Sequence, residues 1–322
     1  MAGANLPAKK YKKTSPTQTR LSFECEGGST QFIDIGMALS TINRRFYRQG
    51  VYYYVNSVEI YNNETGVVDL HVAPDNWVTK NAWNRGFQLF QKMNAMVDQP
   101  ISGIGRPKYH DFKVYLDSRH KSTGSLNPVL HGINAAYTAQ VPAEWAYSQF
   151  ISADSDGDID NSDPANPVVN QEADNFFVHL IGGHTGSSSN WESVGLIKSY
   201  GESRTTVPAE QPNDYPVDIT DPLMNIFDFS TEEQMNDIIT NLRDDNDQTP
   251  YAIASYVGET TNSLQHVARI GTEIGVGRVG RASGFCAPFG LICVDPHGVS
   301  TAFRVVLNLA VGTYHGVYAE RA

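Results

Sequence analysis

Only three cysteines, Cys25, Cys286 and Cys293, occur in 322 residues, and none lies in a CxxC pair or a histidine-rich neighbourhood. That argues against a disulfide-stapled scaffold and a thiolate metal centre. Buried thiols are expected, with a Cys286–Cys293 bridge as the alternative. Lysine is scarce, long Ala/Leu/Glu/Lys-type segments are few, and no apolar run approaches a membrane span. Behind the basic first residues there is neither an apolar signal region nor a small-residue cleavage site, so the chain is expected to be made and folded in the cytosol, without a membrane partner. HExxH, GxSxG and GxxxxGK are all missing, and no carboxylate pair is singled out by an apolar setting. Catalysis has no sequence support.

Glycine (27), tyrosine (16) and phenylalanine (14) are plentiful, which favours strands and long connections over helices. The formal charge of −11 speaks against a chain that coats nucleic acid over its whole surface, while leaving room for one basic face. Lys9, Lys10, Lys12, Lys13 and Arg20 all fall in the first twenty residues and form a basic arm, residues 1–19 with Arg20 at its end.

Beyond the arm, "RLSFEC" (20–25) alternates like a strand, and "QFIDIGMALSTINRRF" has helical spacing through Phe32, Ile35, Leu39 and Ile42, ending near Gly50. "VYYYVNSVEIY" (51–61) and "VVDLHV" (67–72), separated by turn residues 62–66, read as a hairpin. A second helix covers 79–97, with Thr79 as its cap and Trp83, Phe87, Phe90 and Val97 on one stripe. Further strands are expected at 109–116, 175–182, 193–200, 266–271 and 301–318, and a short helix at 231–242. About eight antiparallel strands without regular intervening helices predict a mainly all-β chain, a single jelly-roll sandwich with two or three helices. It would occupy residues 20–322, with long loop insertions near 117–172 and 201–264 that carry specificity.

Several stretches imitate known motifs. "GVGRVG" (275–280) matches a dinucleotide fingerprint, but the following "RASGFCAPFGLI" is broken by glycine and proline and offers no helix N-terminus. A flexible glycine-rich connection carrying Arg278 and Arg281 is the better reading. "DSDGDIDNSD" places Asp154, Asp156, Asp158, Asp160 and Asp163 mostly at alternate positions, as a calcium loop does. Ile159 stands where an EF-hand needs glycine and Ala165 where it needs glutamate, so bound Ca2+ and a solvated acidic loop both remain open. His179 and His184 lack partners at metal spacing and read as structural.

In "NRRFYRQGVYYYVNSVEIYN" (43–62), Arg44, Arg45 and Arg48 gather where a helix should end. They complement a helix dipole, or they join the arm, Arg85 and Lys92 in a cationic face, with Tyr52, Tyr53 and Tyr54 available for core packing or base stacking.

The block "FIDIGMALSTINRRFYRQGVYYYVNSVEI", followed by "VAPDNWVTKNAWNRGFQLFQKMN", resembles the N-terminal half of capsid proteins of small circular Rep-encoding single-stranded DNA viruses from environmental samples. The likeness covers about residues 20–100, with the strand-rich C-terminal end in a general way. It implies a structural protein of the virion, self-assembling into an icosahedral shell around a genome of single-stranded DNA. The arm and the helix-end arginines would face that genome. Such proteins often carry long arginine-rich arms, whereas this arm has four lysines and Arg20. The competing readings are a calcium-dependent, lectin-like β-sandwich binding module and a glycoside hydrolase.

Overall fold

The computed structural model describes residues 16–98, 109–131, 137–152, 159–160, 168–169, 174–187, 190–202, 256–259, 263–272 and 279–321. Its packing divides into Met1–Tyr200 with Val257–Ala322, and Gly201–Tyr256. The second unit contributes only residues 201, 202 and 256 to the described set. The expected helix at 231–242 lies outside it.

The chain is mostly β, and eight strands form the body of two antiparallel sheets. They are β1 Arg20–Cys25, β2 Gln31–Asp34, β3 Val51–Tyr61, β4 Gly66–Val72, β5 Gln265–Thr272, β6 Val279–Ala287, β7 Leu291–His297 and β8 Phe303–Leu309. One sheet runs β1-β8-β3-β6, and the C-terminal strand Ala319–Arg321 extends it beside Tyr53, Tyr52 and Val51 of β3. The other runs β5-β4-β7-β2. Alternating side chains of both sheets meet in one core, Phe23, Val58, Ile60, Val305 and Leu307 from the first and Val68, Leu70, Ile292 and Val294 from the second. Each such side chain contributes ~1.5–3 kcal/mol by leaving water. Cys25 and Cys293 are buried, Cys286 is half-buried, and all three thiols are free.

β3 and β4 do not form the expected hairpin. Their partners are β8 and β6 for the one and β7 and β5 for the other, so residues 62–65 carry the chain from sheet to sheet. Glu64 fixes this corner by accepting from the N–H groups of Ser300 (2.8 Å) and Thr301 (3.2 Å) in the β7–β8 turn. A strand's own alternation does not reveal which sheet it joins.

The helical spacing after residue 31 also resolves differently. β2 occupies the first four residues, and helix α1, Ile35–Asn43, begins only where Asp34 caps it through Met37 N–H at 3.1 Å. It stops at Arg44, which takes the left-handed conformation (φ 52°), well before Gly50. The "RASGFCAPFGLI" segment is no loose connection: it forms most of β6, a tight turn at Pro288–Gly290 and the start of β7. Its glycines are there for close approach, since a Cβ on Gly284 would sit 2.3 Å from the Val55 carbonyl oxygen.

Between β4 and β5 the chain makes an excursion from 73 to 264. Helix α2, Trp77–Asp98, packs Trp83 on Phe87 (5.2 Å) and Phe289 (5.4 Å), with Phe90 on Phe112 (5.3 Å). Its N-terminal N–H at Thr79 is capped by Asn76 at 2.9 Å, so Thr79 is not itself the cap. Residues 109–116 form no strand; Phe112, Val114 and Leu116 are nevertheless buried. Helix α3 covers Ser118–Thr123. The expected strands at 175–182 and 193–200 belong to a separate sheet, in the order Thr185–Ser187, Asn190–Gly195, Asp174–His179, Gln149–Ser152, with its middle pair parallel. After Gly195 the second of them becomes helix α4, Leu196–Glu202. Among the described residues no helix is long and apolar enough to cross a membrane.

Candidate nucleic-acid interface

The end of α1 gathers three pieces of chain. Residues 16–19, the root of the basic arm, run beside it: Gln18 N–H donates to Asn43 Oδ1 (2.8 Å) and Asn43 Nδ2 donates to Gln18 O (3.2 Å). The C-terminal loop closes from the other side, where Thr17 Oγ1 (2.7 Å) and Tyr47 OH (2.9 Å) both donate to His315 O. Arg44 and Arg45 project from this junction, exposed and without an ion pair among the described residues. Arg48 is exposed too but leans on Asp111 at 3.5 Å.

The arm lysines Lys9, Lys10, Lys12 and Lys13 lie outside the described residues; the arm's root is brought to Arg44 and Arg45. Arg20 points elsewhere. Its guanidinium donates to Glu59 Oε2 at 3.0 Å on the face of the first sheet, where Arg281 also approaches Glu59 at 3.7 Å. Arg85 and Lys92 occupy exposed positions on α2.

Of the three tyrosines considered for stacking, Tyr52 (5% exposed) and Tyr53 (0%) are consumed by the core, and Tyr54 packs edge-on against Tyr318 at 4.8 Å. A different aromatic set stands by the arginines. Phe46 meets Tyr109 (5.9 Å) and Trp145 (6.1 Å), and Tyr109 is 60% exposed. The buried Lys113 places its ammonium over Trp145 (4.9 Å) and Phe46 (5.7 Å). Burial pushes the Lys113 pKa down, against the pull of Asp111, Asp34 and Glu144.

Beneath this surface lies a buried polar network. Asp34, fully buried, accepts from Met37 N–H, Gln49 Nε2 (3.0 Å), Trp145 Nε1 (3.1 Å) and Tyr147 OH (3.3 Å). Burial raises its pKa and these donors oppose the rise. Gln49 also clasps Val114 in both directions, donating to its carbonyl (2.9 Å) and accepting from its N–H (2.6 Å). The set ties the N-cap of α1 and the end of the "RRFYRQG" turn to the excursion.

Ser125 Oγ lies 2.7 Å from His120 Nε2, a spacing that invites a nucleophile-and-base reading. The hydrogen-bond directions oppose it. Leu116 N–H donates to His120 Nδ1 at 3.0 Å, so the neutral ring carries its proton on Nε2 and donates to Ser125. Ser125 then donates to Tyr147 (2.6 Å) and Tyr147 to Asp34, leaving no lone pair to activate the serine. Burial holds the His120 pKa down at about 3. His179 is likewise structural: Nε2 donates to Gly183 O (3.0 Å) and Nδ1 accepts from Ser193 (2.7 Å), while burial holds its pKa down at about 4. His184 Nδ1 accepts from Gly195 N–H at 3.1 Å.

Asp154, Asp156, Asp158 and Asp163 lie outside the described residues, as does Arg278. Asp160 ends the two-residue strand Ile159–Asp160, which pairs with Val168–Val169. Among the described residues no group of three or more His, Cys, Asp or Glu side chains is placed to hold a metal ion.

The clamp at Gln18 and Asn43, the Asp34 network and the second aromatic set escaped the sequence reading. One signal was present: the tyrosine and glutamine of "RRFYRQG", Tyr47 and Gln49, carry polar groups that need partners once buried. No family model, curated protein or solved structure matches the chain.

Proposed function

We propose that the chain is a self-assembling capsid protein, built on a single jelly roll and enclosing single-stranded DNA. The observation that carries this reading is the pair of strand orders, β1-β8-β3-β6 and β2-β7-β4-β5. Consecutive strands mostly alternate between the sheets, and the first and last strands pair, the double winding expected of two interlocked Greek keys. Such a sandwich puts its loops at two ends, and here one loop, 73–264, grows into an elaboration suited to subunit contacts. Val311 (76% exposed) and Tyr318 (41%) offer further apolar surface for a neighbouring copy.

Genome contact falls to the arm, Arg44 and Arg45. These cations neutralise phosphates, and Tyr109 beside Phe46 adds a face on which an unpaired base can stack. The wiring of His120 and Ser125 favours a structural chain over a hydrolase. Asp34, the carboxyl group raised by burial, is enclosed by its four donors and cannot reach a substrate.

The test is co-purification. Protein purified under mild salt and treated with nuclease should retain protected single-stranded DNA, and deletion of residues 1–13 should reduce the amount without preventing assembly. Absence of protected nucleic acid at every salt concentration, from protein that binds none when offered it, would remove the genome-enclosing role.

A further inference from the structure

The outer face of the second sheet carries an ordered array of ionisable groups that the proposed function does not use. In register across β7, β4 and β5, one row reads Cys293, His71, His266 and the next Asp295, Asp69, Arg269. Asp69 is the hub: Arg269 binds it through two hydrogen bonds of 2.8 Å, and His266 Nε2 and His297 Nε2 each lie 3.3 Å from it. His297 also lies 3.5 Å from Asp295, which Thr30 Oγ1 contacts at 3.0 Å. At the margin, Arg119 of α3 is paired with Asp117.

With neutral imidazoles, Arg269 faces Asp69 and Asp295, an excess of one negative charge. Protonation of His71, His266 and His297 would turn this into an excess of two positive charges. His71 is poorly placed to accept a proton. Its Nδ1 is buried and meets no hydrogen-bond partner among the described residues, and its ring stands edge-on to His266 at 5.3 Å. The ladder between β4 and β5 is already irregular here, with a register shift between His266 and Ala268. β5 is an edge strand, and it is where the chain rejoins the sandwich after the 73–264 excursion.

We propose that the β4–β5 seam is an acid-sensitive fastening, closed while His71 is neutral and loosened when it becomes charged. The sign follows from linkage. Burial and the neighbouring His266 hold the His71 pKa below its ordinary value of 6.5. An unfastened seam therefore binds the proton more readily than a closed one, and stability present above pH ~6.5 is lost as pH falls through the folded-state value.

Hydrogen–deuterium exchange on the full chain at pH 7.5 and 5.5, corrected for intrinsic rates, reads this directly. Peptides covering 66–72 and 265–272 should lose protection at pH 5.5, by up to the roughly tenfold that one histidine of ordinary pKa 6.5 allows there. The strands Arg20–Cys25 and Phe303–Leu309, which carry no histidine, should lose less. His71→Leu should abolish the acid response of the seam and keep its protection at pH 7.5. His266→Gln, at a site 47% exposed and so tolerant of change, should diminish it. Unchanged seam protection in the parent protein overturns the proposal. So does an equal acid loss in the parent and in whichever variants fold, which would assign the effect to groups elsewhere.

Discussion

Gln18 and Asn43 are joined by two reciprocal hydrogen bonds, which fasten the root of the basic arm to the last residue of α1. Asn43→Ala removes both. The expected cost is about 1 kcal/mol, since exposed hydrogen bonds exchange with water, and denaturant unfolding measures it. Limited proteolysis should then trim the chain before Arg20 faster, with the sandwich intact. Unaltered trimming would show that the arm is held by other contacts.

Charge and stacking at the interface separate by salt dependence. Changing Arg44 and Arg45 to serine should lower the slope of log affinity against log salt for single-stranded DNA by about 1.4, or ~0.7 per phosphate contact. Arg48→Ser should do less, because Arg48 already leans on Asp111. Tyr109→Leu should weaken binding by ~1–3 kcal/mol and leave the slope alone. Equal slopes in the parent and the double arginine variant would leave the arginines as a helix-end feature only.

Gln49→Leu strands both backbone groups of Val114 in a buried setting and takes one of its four donors from Asp34. A loss of about 3 kcal/mol is expected, because each unsatisfied buried group costs ~1–3 kcal/mol. Thermal or urea unfolding gives the value. A loss below about 1 kcal/mol would mean that water or a neighbour replaces the glutamine.

Calcium titration by calorimetry tests the aspartate run. Five carboxylates in ten residues should bind the ion weakly and with measurable heat, because a counter-ion lets like charges approach. Replacing Asp154, Asp156 and Asp158 by asparagine should remove the heat. Equal heats from both proteins would leave a solvated acidic loop.

The sequence made the β class legible because period-two alternation is strong in β1, β3, β4 and β8. It concealed β6 and β7, whose glycines and Pro288 imitate a loop yet serve close backbone approach and a tight turn. β2 was hidden inside a helical pattern because it is four residues long and buried throughout. The strands around 175 and 193 were visible as strands, but nothing in their alternation tells that they form a third sheet. At the candidate interface the arginines could be read, whereas the partners that occupy two of them, Glu59 for Arg20 and Asp111 for Arg48, are brought in from elsewhere in the fold.

Electron microscopy of the purified, nuclease-treated full-length protein tests assembly most directly. The proposed function predicts closed, uniform, symmetric spherical particles, built from copies of this one chain. A concentration-independent monomer or small oligomer, under conditions of neutral pH with and without calcium, would contradict it.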